Sequence, residues 1–284
     1  MSCSPKFSDN KGSCYSLKDL QEIAKNYNRE NSSNKIKLNQ TKEKLYNAIL
    51  KANYDKCGDN EFCWLKQNYM EINKDINKFL VKFRPVQPNT WENEPKKWLN
   101  TYNLLDVMSQ YEEKHKNFKF LGVLPIDFAY KTGFGTCVSQ NMCDLDIKEL
   151  VSNKIYKLGN IFNLDKHYQS GSHWVSLFIN LNPKSKNYGC YYYDSNGRGA
   201  PLEVKNFVSK VISQNSKLTN KELKFYQNTI KHQFKNSECG IFSLHFMDQC
   251  LKNVSFNSFI NKKNLNDDNM FKLRKKFFNK KTKY

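Results

Sequence analysis

The chain has 284 residues, of which 39% are hydrophobic and 14% are aromatic. This length suits one domain with an appendage, and the composition excludes collagenous, membrane-spanning and wholly disordered chains. With 46 Lys and Arg against 27 Asp and Glu, the formal net charge is +19, which favours polyanionic partners such as nucleic acid. The amino terminus has no basic segment followed by an apolar one, so we expect no secretory signal.

The first 85 residues predict a helical amino-terminal arm. Ser16, with Asp19 three residues later, can cap one helix, and Thr41 can cap a second. The helix, loop and helix are similar to SAP-like units that touch nucleic acid, although a structural or substrate-holding role explains them equally well. Residues 86–97 contain two prolines, Pro88 and Pro95, without hydrophobic periodicity and are expected to be a linker.

Two clusters of basic residues are candidates for non-specific DNA binding. One lies at the second helix of the arm, and the other is the Lys/Arg run towards the carboxyl terminus, which is equally explained as the solvated face of a terminal helix. The candidates are Lys35, Lys37, Lys42, Lys44, Lys272, Arg274, Lys275 and Lys276, and the run continues through Lys280 and Lys281 to Lys283.

The nine cysteines are an odd number in a chain without a recognisable signal, which predicts reduced thiols rather than a disulfide framework. The pairs Cys57/Cys63 and Cys137/Cys143 enclose longer segments than the two to four residues typical of zinc sites. We therefore expect buried apolar thiols for most of them, with no metal and no cofactor.

Residues 98–284 predict a mixed α+β domain, because helical and extended patterns alternate along the chain. A helix from Trp98 to Glu112 is followed by a strand that stops at Pro125. The remaining expected elements are a strand from His173 to Leu181, its hairpin partner at 188–194, a helix at 202–213, a strand at 223–232 and a helix opening at Cys239.

Four residues at the ends of these elements carry the chemistry of a cysteine protease. Cys239 begins a helix, and a thiolate is the nucleophile that acyl transfer needs. His173 is the candidate base, and Asp194 is the candidate carboxylate that holds the second ring nitrogen of that base. Gln233, six residues before the cysteine, is expected to direct its amide at the developing oxyanion.

The order His, Asp, Gln-x5-Cys-Gly resembles that of the adenovirus-protease and SUMO-protease superfamily of cysteine peptidases. Trp98-Leu-Asn-Thr resembles the opening Trp-Leu-Asn-Asp of those domains, and His173-Trp174 and Tyr193-Asp194-Ser195 match two further motifs. Gly122-Val-Leu-Pro-Ile-Asp-Phe128 is similar to a segment of the virion-maturation proteases of large DNA viruses, which include the African swine fever virus polyprotein protease and its giant-virus relatives. The resemblance spans about residues 98–252 and implies an adenain-like core.

The resemblance implies an endopeptidase that cleaves structural polyproteins after small Gly-containing motifs, in the virion and the viral factory of the host cytoplasm. It also implies that Trp174 walls a channel that admits glycine. Thr101 replaces the usual Asp, which weakens the transfer of ubiquitin-like-protein contacts. The alternatives are a SUMO-like or ubiquitin-like deconjugating isopeptidase with the same triad, and a nucleic-acid-binding protein that uses the protease domain as a scaffold.

Overall fold

The computed structural model describes residues 2–8, 12–71 and 75–280, which form two compact units. The first unit contains the described residues up to Asn89 together with 275–280, and the second contains 90–274. The boundary at Asn89 falls inside the segment 86–97, and residues 275–280 group with the first unit. Lys281 and Lys283 lie outside the described residues. No helix in the described part of the chain is long and apolar enough to cross a membrane.

The first unit is helical. Its helices are α1 (Leu17–Glu30), α2 (Lys42–Cys57), α3 (Asn68–Glu71) and α4 (Asn77–Leu80). Ser16 and Asp19 form the expected capping box at α1, and Thr41 accepts a hydrogen bond from the backbone of Lys44 at the start of α2. Both predicted caps are thus confirmed. Buried aromatic rings fill the core of the unit, including those of Tyr15, Trp64, Phe79 and Phe83.

Six of the nine cysteines form disulfides, so the expectation of reduced thiols is wrong for them. The pairs are Cys3–Cys14, Cys57–Cys63 and Cys137–Cys143, with Cα–Cα distances of 5.2, 5.5 and 6.5 Å. Turns in the chain bring each pair within the distance that a disulfide spans, which an odd cysteine count cannot reveal. Cys190, Cys239 and Cys250 remain free thiols.

The second unit is an α+β domain, as expected. Its helices are α5 (Thr101–Lys114), α6 (Gln140–Cys143), α7 (Ile147–Ser152), α8 (Leu202–Ser216), α9 (Cys239–Leu251), α10 (Phe256–Ile260) and the greater part of α11 (Asp267–Phe277). Its strands are β1 (Phe118–Pro125), β2 (Lys157–Asn163), β3 (Trp174–Asn180), β4 (Gly189–Tyr193) and β5 (Phe225–Gln227).

The five strands form one mixed sheet in the order β1-β2-β3-β4-β5. β1 pairs with β2 in parallel, β2 with β3 and β3 with β4 antiparallel, and β4 with β5 in parallel. The hairpin of β3 and β4 was predicted, whereas β2 was not, and β5 is shorter than the segment 223–232 predicted as a strand. Register pairs Ser176 with Tyr193 at one end of the hairpin and Asn180 with Gly189 at the other.

Two buried elements position the site. Every residue of the central strand β3 is buried, and α9, which packs on it, is buried along nearly its whole length. Such a helix is held in place on all sides, so its amino terminus is fixed against the sheet. The antiparallel pairing then brings His173, which precedes β3, and Asp194, which follows β4, to the same end of the hairpin.

Candidate active site

Cys239 is the first residue of α9, and its side chain is buried. Backbone N–H groups in the first turn of a helix lack partners within the helix and attract negative charge. Glu238 occupies the N-cap position, but its carboxylate makes no capping hydrogen bond to these groups. Cys239 therefore lies at the amino terminus of α9, a setting that stabilises negative charge developing on a bound oxygen.

His173 directly precedes β3 and lies between Asp194 and Cys239. Nε2 of His173 is 2.6 Å from Oδ1 of Asp194, a fully buried carboxylate that follows β4. Burial disfavours the charged ring, but hydrogen bonds to Asp194 and Cys239 outweigh it and raise the pKa of His173 to about 9. Because Nε2 is hydrogen-bonded to Asp194, Nδ1 is the ring nitrogen that remains to interact with the thiol.

Two asparagines that the sequence analysis did not select hold Asp194 in place. Asn228 accepts a hydrogen bond from the backbone N–H of Asp194 at 2.9 Å and donates to its carbonyl at 2.8 Å. Asn196 donates its backbone N–H to Oδ1 of Asp194 at 2.8 Å. Asn196 follows the Tyr-Asp-Ser motif directly, but a lone asparagine in a turn gives no hint of such a role.

Gln233 is buried, and both ends of its side-chain amide are hydrogen-bonded. Oε1 accepts a hydrogen bond from the hydroxyl of Ser195 at 2.6 Å, and Nε2 donates to the carbonyl of Lys235 at 2.7 Å. Nε2 has two hydrogens, so one remains for a further acceptor. Ser195 was quoted only as part of a motif, and its contact with Gln233 is a feature that the sequence analysis missed.

Trp174 is anchored through Leu99, the residue two positions before α5. The indole Nε1 donates to the carbonyl of Leu99 at 2.9 Å. A side-chain carbon at Gly240 would lie 3.1 Å from Cβ of Leu99 and 3.4 Å from Cδ1 of Trp174, so the first turn of α9 packs closely on both residues. A cavity of about 570 Å³ adjoins this contact, with Trp174, Leu99, Leu124 and Val138 among its walls.

The other histidines near the sequence motifs have structural partners. His167 pairs with Asp127, at 2.7 Å between Nδ1 and a carboxylate oxygen. His232 hydrogen-bonds the carbonyl of Ile260 and the hydroxyl of Tyr193, and burial lowers the pKa of His232. The ring of His245 packs against Phe259, with 5.6 Å between centroids. None of these contacts involves Cys239, His173 or Asp194.

Most of the basic candidate residues are exposed, whereas Arg274 is buried. Its guanidinium forms an ion pair with the buried Glu238 at 2.9 Å, so it is not available to a phosphate group. The expectation that Arg274 binds nucleic acid is therefore wrong. Lys35, Lys37, Lys44, Lys272 and Lys275 are exposed, and Lys42 and Lys276 are half-buried. For these lysines, DNA binding stays a prediction.

Among the described residues, the metal-ligating side chains that come close together are Cys3, Cys14 and Glu61, whose ligand atoms lie within 4.8 Å of one another. The two sulfur atoms are joined in a disulfide and offer no thiolate to an ion. The arrangement at Cys239 needs no metal for its chemistry, since a thiolate, an imidazolium and oxyanion donors suffice for acyl transfer.

The chain is similar to known cysteine proteases. Residues 160–284 match the model of the Ulp1 protease family, C-terminal catalytic domain. The chain is 28% identical over 283 residues to the mimivirus protein R355, named as a thiol protease, covering 91% of this chain and 87% of the relative. It is 30% identical over 120 residues to a cysteine protease of African swine fever virus, covering 42% of this chain and 43% of the relative.

The fold is also that of a solved viral protease. The crystal structure of the African swine fever virus pS273R protease superposes with a TM-score of 0.70 at 19% identity, covering 99% of this chain and 96% of that chain. The protein is thus an α+β cysteine protease. More specifically, its residues 160–284 match the catalytic domain of the Ulp1 protease family, and its motifs resemble those of the superfamily of adenovirus and SUMO proteases.

Proposed function

We propose that this protein is an endopeptidase that cleaves viral structural polyproteins after Gly-containing motifs. The observation that carries the proposal is the 2.6 Å contact between His173 and the buried Asp194, with Cys239 at the amino terminus of a buried helix among the groups that raise the pKa of His173. We propose that the enzyme acts in the virion and in the viral factory of the host cytoplasm, which agrees with its similarity to proteins of large DNA viruses.

In the proposed reaction, the thiolate of Cys239 attacks the scissile carbonyl carbon while His173 holds the proton. The carbonyl oxygen becomes an oxyanion that accepts hydrogen bonds from the backbone N–H of Cys239 and from Nε2 of Gln233. Collapse of this intermediate breaks the C–N bond, and His173 gives its proton to the leaving amine. Water, deprotonated by His173, then hydrolyses the thioester and restores the free thiol.

The preference for glycine is supported by the close packing around Trp174. The bond from Trp174 to the carbonyl of Leu99 and the lack of space at Gly240 fix the indole beside the catalytic helix. Because the indole of Trp174 cannot shift, the channel beside it has room only for substrate residues without side chains. Both Gly-Gly-X and Gly-X-Gly sites would satisfy this requirement, since each places glycine near the cleaved bond.

Removal of SUMO-like or ubiquitin-like modifiers is the second candidate function. The African swine fever virus relative has been named a SUMO-1 cysteine protease, and the same residues would cleave an isopeptide bond. Thr101, at the first position of α5, lacks the carboxylate of the Asp that the resembling domains carry there. We therefore favour the endopeptidase.

A direct comparison of substrates tests the proposal. The full chain is incubated with its own virus's core polyprotein and with a SUMO conjugate, with Cys239→Ala as the matched inactive control. Cleavage of the polyprotein that is lost when the glycine before the cleaved bond becomes alanine supports the proposal. Cleavage of the conjugate alone favours the deconjugating enzyme, and equal turnover by the Cys239→Ala variant rules out both.

A further inference from the structure

Arg274 forms a buried network beside the catalytic cysteine. Its side chain is 4% exposed and that of Glu238 is 2% exposed. Nε and Nη2 of Arg274 each donate to one carboxylate oxygen of Glu238 at 2.9 Å, which is the two-pronged geometry that only arginine provides. Glu238 is the residue immediately before Cys239, so this ion pair lies one residue from the thiol.

The remaining donors of Arg274 bind backbone carbonyls. Nη1 donates to the carbonyls of Pro95 and Lys97 at 3.0 and 2.9 Å, and Nη2 lies 3.3 Å from the carbonyl of Ser237. The face of the guanidinium covers the ring of Trp91, with Cζ 4.2 Å from the centroid. Every donor therefore has an acceptor, as burial of a charged group requires.

The carbonyls that Arg274 binds belong to the two segments that build the site. Ser237 and Glu238 lead directly into the catalytic helix. Lys97 lies two residues before Leu99, whose carbonyl holds the indole of Trp174 and whose side chain packs on Gly240. One guanidinium thus holds both the residues that precede Cys239 and the residues that precede Leu99.

We propose that Arg274 is a positioning residue for this protease, which neutralises the Glu238 carboxylate beside Cys239 and holds the 95–97 segment that places Trp174. A buried carboxylate is costly unless a cation balances its charge, and Glu238 is joined directly to Cys239. The guanidinium supplies that balance, and the carbonyl contacts supply the geometry. The inference rests on the assignment of Cys239 as the nucleophile.

The two contributions can be separated by choice of variant. Arg274→Met removes both the charge and the carbonyl contacts, whereas Arg274→Lys keeps the charge but cannot reproduce the planar fork. Glu238→Gln removes the negative charge and keeps an oxygen that accepts from Arg274. In the double variant Arg274→Met/Glu238→Gln both charges are absent, and together with the two single variants it closes a double-mutant cycle. Lys263→Met, at an exposed lysine, is the control for loss of one positive charge.

The measurement is the pH dependence of iodoacetamide alkylation of Cys239 in the full chain, followed by mass spectrometry of its peptide. Arg274→Met should slow alkylation near neutral pH by roughly tenfold or more and move the midpoint upwards, because Glu238 is left uncompensated. Glu238→Gln should move the midpoint downwards, and the double variant should return it towards that of the unsubstituted protein. Lys263→Met should leave the profile unchanged.

Peptide cleavage tests the geometric contribution. Arg274→Lys should keep the alkylation profile but raise KM, because the segment leading to Leu99 has lost carbonyl contacts. A purely structural role predicts a lower melting temperature with an unchanged alkylation profile and an unchanged KM, and that result would overturn the proposal. If Arg274→Met fails to fold, Glu238→Gln and Arg274→Lys decide the matter. Failure of the proposed function is recognised separately, by cleavage that persists in Cys239→Ala.

Discussion

The hydroxyl of Ser195 donates to Oε1 of Gln233 at 2.6 Å, and this contact sets the direction of the Gln233 amide. With Oε1 held by a donor and one hydrogen of Nε2 held by the carbonyl of Lys235, the amide cannot turn over without losing both bonds. A preorganised donor costs no reorientation when negative charge develops. Ser195 thus acts on the proposed oxyanion site through Gln233.

We expect Gln233→Ala to lower kcat by about two to three orders of magnitude with little change in KM, since one oxyanion donor is typically worth ~2.7–4 kcal/mol in the transition state. Ser195→Ala should lower kcat by about tenfold, because the amide loses its orientation but not its donor. Steady-state kinetics on a glycine-containing peptide measures both. Ser209→Ala, at an exposed serine, is the control. A rise in KM at constant kcat in Gln233→Ala would contradict the assignment.

We expect Cys239→Ala to abolish cleavage without unfolding the protein, and His173→Ala to be equally inactive. Iodoacetamide should label Cys239 before Cys190 and Cys250, because burial raises the pKa of both of these thiols. Mass spectrometry of the alkylated peptides gives the order. Cys250→Ala is the matched control and should retain cleavage. Preferential labelling of Cys190 would argue against this assignment.

The raised pKa of His173 predicts a pH-dependent contribution to stability. A group whose folded pKa of about 9 exceeds its unfolded value of about 6.5 stabilises the protein fully below pH ~6.5 and loses this effect as the pH rises through about 9. The contribution is on the order of 3 kcal/mol at its maximum. Chemical denaturation of the unsubstituted protein and of Asp194→Asn between pH 6 and pH 10 measures it.

The gap in unfolding free energy between these two proteins should be largest at pH 6 and should narrow above pH 9, because Asp194 is a main source of the raised pKa. A gap that stays constant over this range would show that His173 titrates normally. Asp194→Asn should keep a small fraction of the activity, since an amide can still orient the imidazole in part.

Gly240→Ala should raise KM for a glycine-containing peptide, with only a moderate decrease in melting temperature. The added methyl group would lie 3.1 Å from Cβ of Leu99 and 3.4 Å from Cδ1 of Trp174, so these side chains must shift by a few tenths of an ångström. Overpacking of this kind costs about 1–3 kcal/mol, and the shift falls on the proposed glycine channel. Melting temperature and KM are the measurements. Gly133→Ala, at an open position, is the control and should change neither.

DNA binding by the exposed lysines is tested by its dependence on salt. If Lys35, Lys37 and Lys44 contact phosphates, affinity for any duplex should fall steeply between about 50 and 200 mM salt, with a log–log slope near −0.9 per phosphate neutralised. Replacing all three by Gln should flatten this slope. Replacing Lys184, Lys186 and Lys263 changes the net charge equally and serves as the control. No binding at low salt would leave these lysines as a solvated surface.

The sequence indicated the candidate site through short motifs at the ends of strands and at the start of a helix. Such ends can be located from the local sequence pattern without knowledge of the rest of the fold. Arg274 was misjudged for the opposite reason. It lies in a run of lysines, and its partner Glu238 is 36 residues away in the chain, so nothing local distinguishes it from its exposed neighbours. The disulfides were missed for another reason: their partners are only 6 or 11 residues apart, but the turns that bring the two cysteines of each pair together leave no recognisable pattern in the sequence.

The strand β2 was missed because its sequence, Lys-Leu-Gly-Asn-Ile-Phe-Asn, contains residues that strands disfavour. It forms because it pairs with β1 on one side and β3 on the other, a tertiary context that overrides local preference. Conversely, of the segment 223–232 only Phe225–Gln227 pairs regularly with β4, and the rest makes isolated backbone hydrogen bonds such as that from Asn228 to Tyr192. Pairing partners, rather than composition, decided both cases.

The hairpin of β3 and β4 places its connecting turn at the opposite end of the sheet from His173 and Asp194. Its seven-residue strand separates the two ends by about 20 Å, and Lys184 and Lys186 lie exposed in the turn. Sequence inserted there would leave the pairing of Ser176 with Tyr193 untouched, since ladder hydrogen bonds fix that end independently. The turn is therefore a suitable place for a fluorophore or an affinity tag that reports on the enzyme without entering its reaction.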